Sequence, residues 1–382
     1  MATYVDVKSE ILRWAIDRSG LSSDAFREPV EAWLREEKKP TFNQLEAFAR
    51  RAMVPLGYLF LQQPPNEELP VPDYRTRKDQ AVRRPSPNLI ETIFEMQRRQ
   101  QWMREYLVEE GHGSLPFVAS MKVGESATKV AKDIRKSLGL SDDWAAQQDN
   151  WEAALRYLRL QIEAAGILIF VNGIVGNSTR RKLDAAEFQG FVLVDSVAPL
   201  IFVNGSDFKV AQMFTMAHEL VHVWVGQSAL FDLDATRPAN VQVEKYCNAV
   251  AAEFLVPAAS LQLAWATHRR GDAGMTSLAR QFKVSPIVVA RRARDQELIT
   301  EDEFFNFYRR YTNRERKKGE ARKSGGDFWR TQNLRLGQRF GHAVISAASE
   351  GRLSYSDAYD LTRLHGGTFD KYVQLLDQRG QR

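Results

Sequence analysis

His218-Glu219-Leu220-Val221-His222 places two imidazoles and a carboxylate within five residues. On a helix, His218 and His222 stand one turn apart on the same face, so both can hold one zinc ion. Glu219 lies about 100° further round. There it can take a proton from an attacking water without binding the metal itself. A catalytic zinc usually takes three protein ligands, so one more must come from elsewhere. Glu244, 22 residues after His222, is the best candidate and starts a second helical run that ends at Pro257. Glu253 lies nine residues beyond Glu244. On a helix the two point to opposite faces, so only one can face the metal. Asn248 shares the face of Glu244 and could hydrogen-bond a ligand or a substrate. Cys247 could approach that face, but reads better as a small buried residue. His112, His268, His342 and His365 have no comparable context and are assigned no metal role.

The elements that must position these groups are legible around them. Phe214, Met216, Leu220, Val221, Trp224 and Val225 surround the motif. A helix apolar on most sides is buried, and buried imidazoles and carboxylates need a partner. A surface helix with two solvated histidines is the bland alternative, and the flanks argue against it. Three strand-like stretches precede this helix, at residues 166–171, 188–194 and 199–203. They should form a small sheet, and residues 200–203 are the expected edge on which a substrate backbone could add a strand. The fold class expected is α+β: a mostly helical, multidomain chain with a small sheet beside the metal helix.

The remaining chain divides by composition. Residues 1–62 read as a helical domain, with helices over 9–19 and 42–52, a stop at Gly20, and two short helices between, near Ser22-Ser23-Asp24 and from Val30. Residues 63–89 are a proline-rich linker. The metal-helix domain spans 90–265 and starts with helices over 89–109, 127–138 and 144–163. Residues 266–325 hold a second helix-turn-helix-like pattern, around Ala279 and Ser285, and a basic segment. Residues 326–382 form a C-terminal helical unit, to be used as a lid over the site or as a surface for a partner. Gly325-Gly326 lacks the Lys-Ser/Thr context of a phosphate-binding loop.

Composition bounds the function. The 382 residues are 44% hydrophobic and 26% charged, with a formal net charge of +5, which permits nucleic-acid contact without demanding it. The nine Lys/Arg of residues 1–62 are balanced by nine Asp/Glu, whereas residues 306–323 hold eight Lys/Arg against two Glu. DNA contact is therefore open through either segment. The one cysteine excludes a disulfide framework. No apolar run reaches the length of a membrane span and the start has no signal-peptide pattern, so the expected place is the cytoplasm.

Residues 166–257 resemble the ImmA/IrrE family of metallo-endopeptidases. The likeness rests on Gly190, the strand end Ile201-Phe202-Val203-Asn204, the run Phe214 to His222, and Glu244-x-x-Cys247-Asn248-x-Val250-Ala251-Ala252-Glu253-Phe254-Leu255-Val256-Pro257. Departures are Cys247 for alanine, Val250 for phenylalanine and Val221 where glycine is usual. The resemblance places the zinc ligands on His218, His222 and Glu244 and the general base on Glu219. Residues 1–62 resemble an Xre-type helix-turn-helix through Gly20-Leu21-Ser22, Trp33, Lys39-Pro40-Thr41, Leu45, Ala49 and residues 54–60. Their second helix, around Ala25-Phe26, departs from that pattern. Together these features imply a regulatory zinc endopeptidase acting on a specific protein partner, such as a transcriptional repressor. The competing reading is a DNA-binding regulator, or the antitoxin partner of a toxin, that uses the peptidase-like fold as a platform. A homodimer is left open.

Overall fold

The computed structural model describes residues 3–67, 85–207, 209–231, 241–267, 271–319 and 328–380. Two compact units share the chain: Met1–Pro70 with Tyr74–Phe94, and Val71–Asp73 with Glu95–Arg382. Most of the expected linker, and the Gly325-Gly326 pair, fall outside the described residues.

The first unit begins with α1 (Ser9–Ser19), whose Ile11, Leu12, Ala15 and Ile16 recur at helical spacing and are buried. Gly20 ends it in the left-handed conformation, at φ 68°. A 3-10 turn (Ser23–Ala25) and α2 (Val30–Leu34) follow. In α3 (Phe42–Ala52), Thr41 and Gln44 form a reciprocal capping box. The rings of Phe26 and Trp33 close on Phe48, at 4.8 and 6.0 Å between centroids. The pair of helices expected between α1 and α3 is abbreviated to one 3-10 turn and five helical residues. Pro29 stands immediately before α2, and Glu36, at φ 60°, turns the chain out of helix soon after it. The division between the units falls inside α4 (Pro87–Glu109).

The second unit is built on a four-stranded sheet in the order β1-β3-β2-β4. Strand β1 (Leu168–Asn172) runs parallel to β3 (Leu200–Asn204). Strand β2 (Gly190–Leu193) is antiparallel both to β3 and to β4 (Ala229–Phe231). Residues 200–203 therefore lie in an inner strand and are not the edge expected from the sequence. The edges of the described sheet are β1 and β4. The physical sign is the unbroken burial of β3: every residue is covered on both faces, as in the middle of a sheet.

Helix α7 (Lys209–Val225) packs across β2, β3 and β4, and α8 (Val241–Leu255) packs on α7. Helix α5 (Ala127–Ser137) covers α8, and its Arg135 donates to the carbonyls of Glu253 and Phe254, closing the end of α8. Helix α6 (Trp151–Ala164) starts later than residue 144, because Asn150 accepts from the Ala153 amide and sets the N-cap. Trp144 instead lies in the preceding turns, buried 6.2 Å from the Phe254 ring.

After α9 (Ala258–Trp265) come α10 (Asp272–Phe282) and α11 (Pro286–Asp295), with Ser285 capping and Pro286 at the first turn of α11. Helix α12 (Glu301–Gly319) packs on α11. Helix α13 (Phe328–Leu336) then packs on β1, followed by α14 (Gln338–Ser349), α15 (Tyr355–Thr362) and α16 (Gly367–Gly380). Between α13 and α14 sits Gly337, at φ 65°, where an added Cβ would lie 2.8 Å from the carbonyl oxygen of Ile169. The C-terminal helices thus attach at the β1 side of the sheet, α13 on β1 and α14 on α6. Among the described residues no single helix is long and apolar enough to cross a membrane.

Candidate metal centre

Helix α7 presents His218 and His222 from its buried interior, at 0% and 1% exposure. Its last turn is fixed by Gly226, at φ 78°, whose amide donates to the His222 carbonyl. Helix α8 brings Glu244 opposite them from its first turn. The Nε2 atoms of the two histidines are 3.1 Å apart. Glu244 Oε2 lies 3.0 Å from His218 Nε2, and Oε1 lies 3.3 Å from His222 Nε2.

These groups fit a metal ion. Ligand atoms about 2.0–2.1 Å from a tetrahedral metal stand about 3.3 Å from one another. Burial pushes the pKa of His218 down. Burial pushes the Glu244 carboxyl up, but its hydrogen bonds to His218 and His222 and their charge outweigh that and hold it at about 2. With its proton on Nδ1, His218 donates to Asn248 Oδ1 at 3.2 Å, which turns an unprotonated Nε2 toward the carboxylate. Lone pairs then converge where a cation would satisfy them. Among the described residues, His218, His222 and Glu244 are the group of His, Cys, Asp and Glu side chains that could hold a metal ion.

Glu219 is also fully buried, and neither carboxylate oxygen has a hydrogen-bond partner among the described residues. Burial, and then the charge of Glu244, raise its pKa well above the ordinary carboxylate range. Strand β2 runs directly beside it at Gly190. A Cβ there would lie 2.7 Å from Thr215 Cγ2, 2.8 Å from the Phe202 carbonyl and 3.2 Å from Glu219 Oε1. Gly190 therefore lets the sheet reach the carboxylate, which the sequence alone could not show.

The other residues singled out by sequence fall on either side of this group. Glu253 pairs with Arg292, away from the metal residues, and Arg292 also donates to the Val256 carbonyl. Cys247 is fully buried in the core, and burial pushes its thiol pKa up. Val221 is fully buried in the same core. Sequence reasoning missed β4, since three residues carry no readable periodicity. It also missed the support behind the metal helix, where Trp224 donates to Asp133 Oδ2 at 2.8 Å and Phe117 stacks on its ring at 4.4 Å.

Residues 162–294 match the family model of Peptidase_M78, the IrrE N-terminal-like domain. That span holds all four residues above and supports the likeness to the ImmA/IrrE metallopeptidases. Residues 336–374 match a domain of unknown function, DUF8813. Neither match reaches residues 1–62. No curated protein matches the chain.

Proposed function

We propose that this protein is a regulatory zinc endopeptidase that cleaves a specific protein partner, such as a transcriptional repressor or a toxin encoded beside it. The observation that carries the reading is the buried, unpartnered Glu219 carboxylate next to the converging His218, His222 and Glu244. Two nitrogens and one carboxylate form a donor set suited to a catalytic zinc with an open position. Bound there, zinc would lower the pKa of a water and polarise the scissile carbonyl.

The chain's own residues do the rest. Glu219 takes the proton of the attacking water and returns it to the leaving amine. Asn248 fixes the ring of His218, and Gly190 sets the distance from sheet to base. Strand β4 pairs with β2 along one side, and its other side has no strand among the described residues. It can take an extended substrate as a further strand.

The test is E219Q, which keeps size and polarity but cannot act as a base. The product of an adjacent gene is incubated with wild type, E219Q and H222A, and read by intact mass and elemental analysis. Wild type should cleave and carry zinc. E219Q should carry zinc but cleave about 100-fold more slowly or worse, while H222A should lose zinc and cleavage together. If wild type binds the partner tightly but leaves it as intact as E219Q does, the fold serves as a binding platform and the endopeptidase reading fails.

A further inference from the structure

A cleft of about 1020 Å³ opens where β1 and β3 end, lined by α6, α7, α13 and the loops that follow the two strands. Its lining includes none of His218, Glu219, His222 and Glu244. We infer that it binds a small phosphate ester of nucleotide size.

The place is set by topology. Strands β1 and β3 are parallel and in register, and leave the sheet side by side at Asn172 and Asn204. Crevices beyond the carboxyl ends of parallel strands are where open α/β sheets take ligands. The two loops touch here through glycines. A Cβ on Gly173 would lie 2.7 Å from the amide nitrogen of Ser206, and one on Gly205 would lie 2.9 Å from the amide nitrogen of Gly173. The two glycines therefore let the loops pack backbone to backbone beside the cleft. Its volume is at the upper end of small-molecule sites.

The charge is set by four cations. Arg159 and Arg335 are buried and half-buried, while Arg156 and Lys182 are exposed. Glu152 is the one carboxylate among the described lining residues. Arg335 donates to the neutral Asn177 Oδ1 at 3.1 Å, and burial pushes its guanidinium pKa down with no carboxylate recorded as opposing that push. Arg156 has no hydrogen bond or ion pair among the described residues. Several cations in a concave site concentrate positive potential, and guanidinium forks match the oxygens of phosphate. The half-buried Trp151 ring on the same wall offers a face for a planar base.

The full-length protein is titrated calorimetrically with adenosine 5′-monophosphate, adenosine and inorganic phosphate. The monophosphate should bind with a Kd of about 1 mM or tighter, and both fragments at least about tenfold more weakly. Replacing the exposed Arg156 and Lys182 together by glutamine should cost the monophosphate about tenfold or more. The melting temperature of that double variant should match wild type, because both side chains are solvent-facing; W151L, read the same way, should weaken the monophosphate toward the affinity of inorganic phosphate. The inference is overturned if the monophosphate does not bind, or if adenosine or inorganic phosphate binds equally well. It is also overturned if a folded R156Q/K182Q variant binds the monophosphate like wild type. Binding of an aspartate-rich peptide in place of the monophosphate would assign the cleft to a protein segment and equally overturn it. None of these readouts uses peptidase activity, so the result is independent of the reading proposed for the metal centre.

Discussion

Adding a single methyl group at Gly190 should damage the site without touching His218, His222 or Glu244. In G190A the new Cβ would start 2.7 Å from Thr215 Cγ2, 2.8 Å from the Phe202 carbonyl oxygen and 3.2 Å from Glu219 Oε1. Ordinary carbon contacts begin at about 3.5 Å. The carbonyl belongs to β3, which is buried throughout, so it cannot swing aside as a side chain would. Sheet and helix must part by several tenths of an ångström. Overpacking of this kind typically costs about 1–3 kcal/mol. In a unit of this size that is a fall in melting temperature of roughly 2–6 °C. Zinc content should stay at the wild-type level, since the metal residues converge between α7 and α8. Turnover should fall at least about tenfold, because small misplacements of a reacting group cost rate steeply. T215S removes the methyl but leaves the carbonyl, so G190A/T215S should recover only part of the lost stability. Differential scanning calorimetry, elemental analysis and the cleavage assay read the three effects. A G190A protein that melts within about 1 °C of wild type and cleaves normally would refute the reasoning.

Two further substitutions probe the surroundings. N248A removes the partner of His218 Nδ1 and should weaken zinc binding about 10–100-fold in chelator competition; unchanged affinity would show that Asn248 does not orient the ring. Glu163 Oε1 accepts from the amides of Gln338 and Arg339 at the start of α14, and burial raises its pKa against the opposing pull of Arg159 and Arg339. A carboxyl with a raised folded-state pKa binds its proton more tightly in the folded protein. Its stabilisation is complete below the unfolded value, near 4.5, and is lost as pH rises through the raised one. The melting temperature of wild type relative to E163Q should therefore increase as pH is lowered from neutrality toward 4.5, and a constant difference down to that pH would refute the assignment.

The chain's local patterns already carried most of the candidate metal centre. The spacing of His218, Glu219 and His222 is fixed by helical periodicity, which needs no tertiary information. The same periodicity set Glu244 and Asn248 on one face and Glu253 on the other, as the contacts of Asn248 with His218 and of Glu253 with Arg292 show. Helices α1 and α3 were readable to the residue, because Gly20 and Thr41 are local stop and start signals. What the sequence left undecided depends on residues far apart in the chain. Strand order is one case: residues 200–203 look like any apolar strand, and only the arrival of β1 on one side and β2 on the other makes them interior. Gly190 is another, since its role is the absence of a side chain where Phe202, Thr215 and Glu219 meet. The basic cleft is a third. Arg156, Lys182 and Arg335 are unremarkable in sequence, and become a site only because the parallel pairing of β1 with β3 brings three separate segments round one hollow.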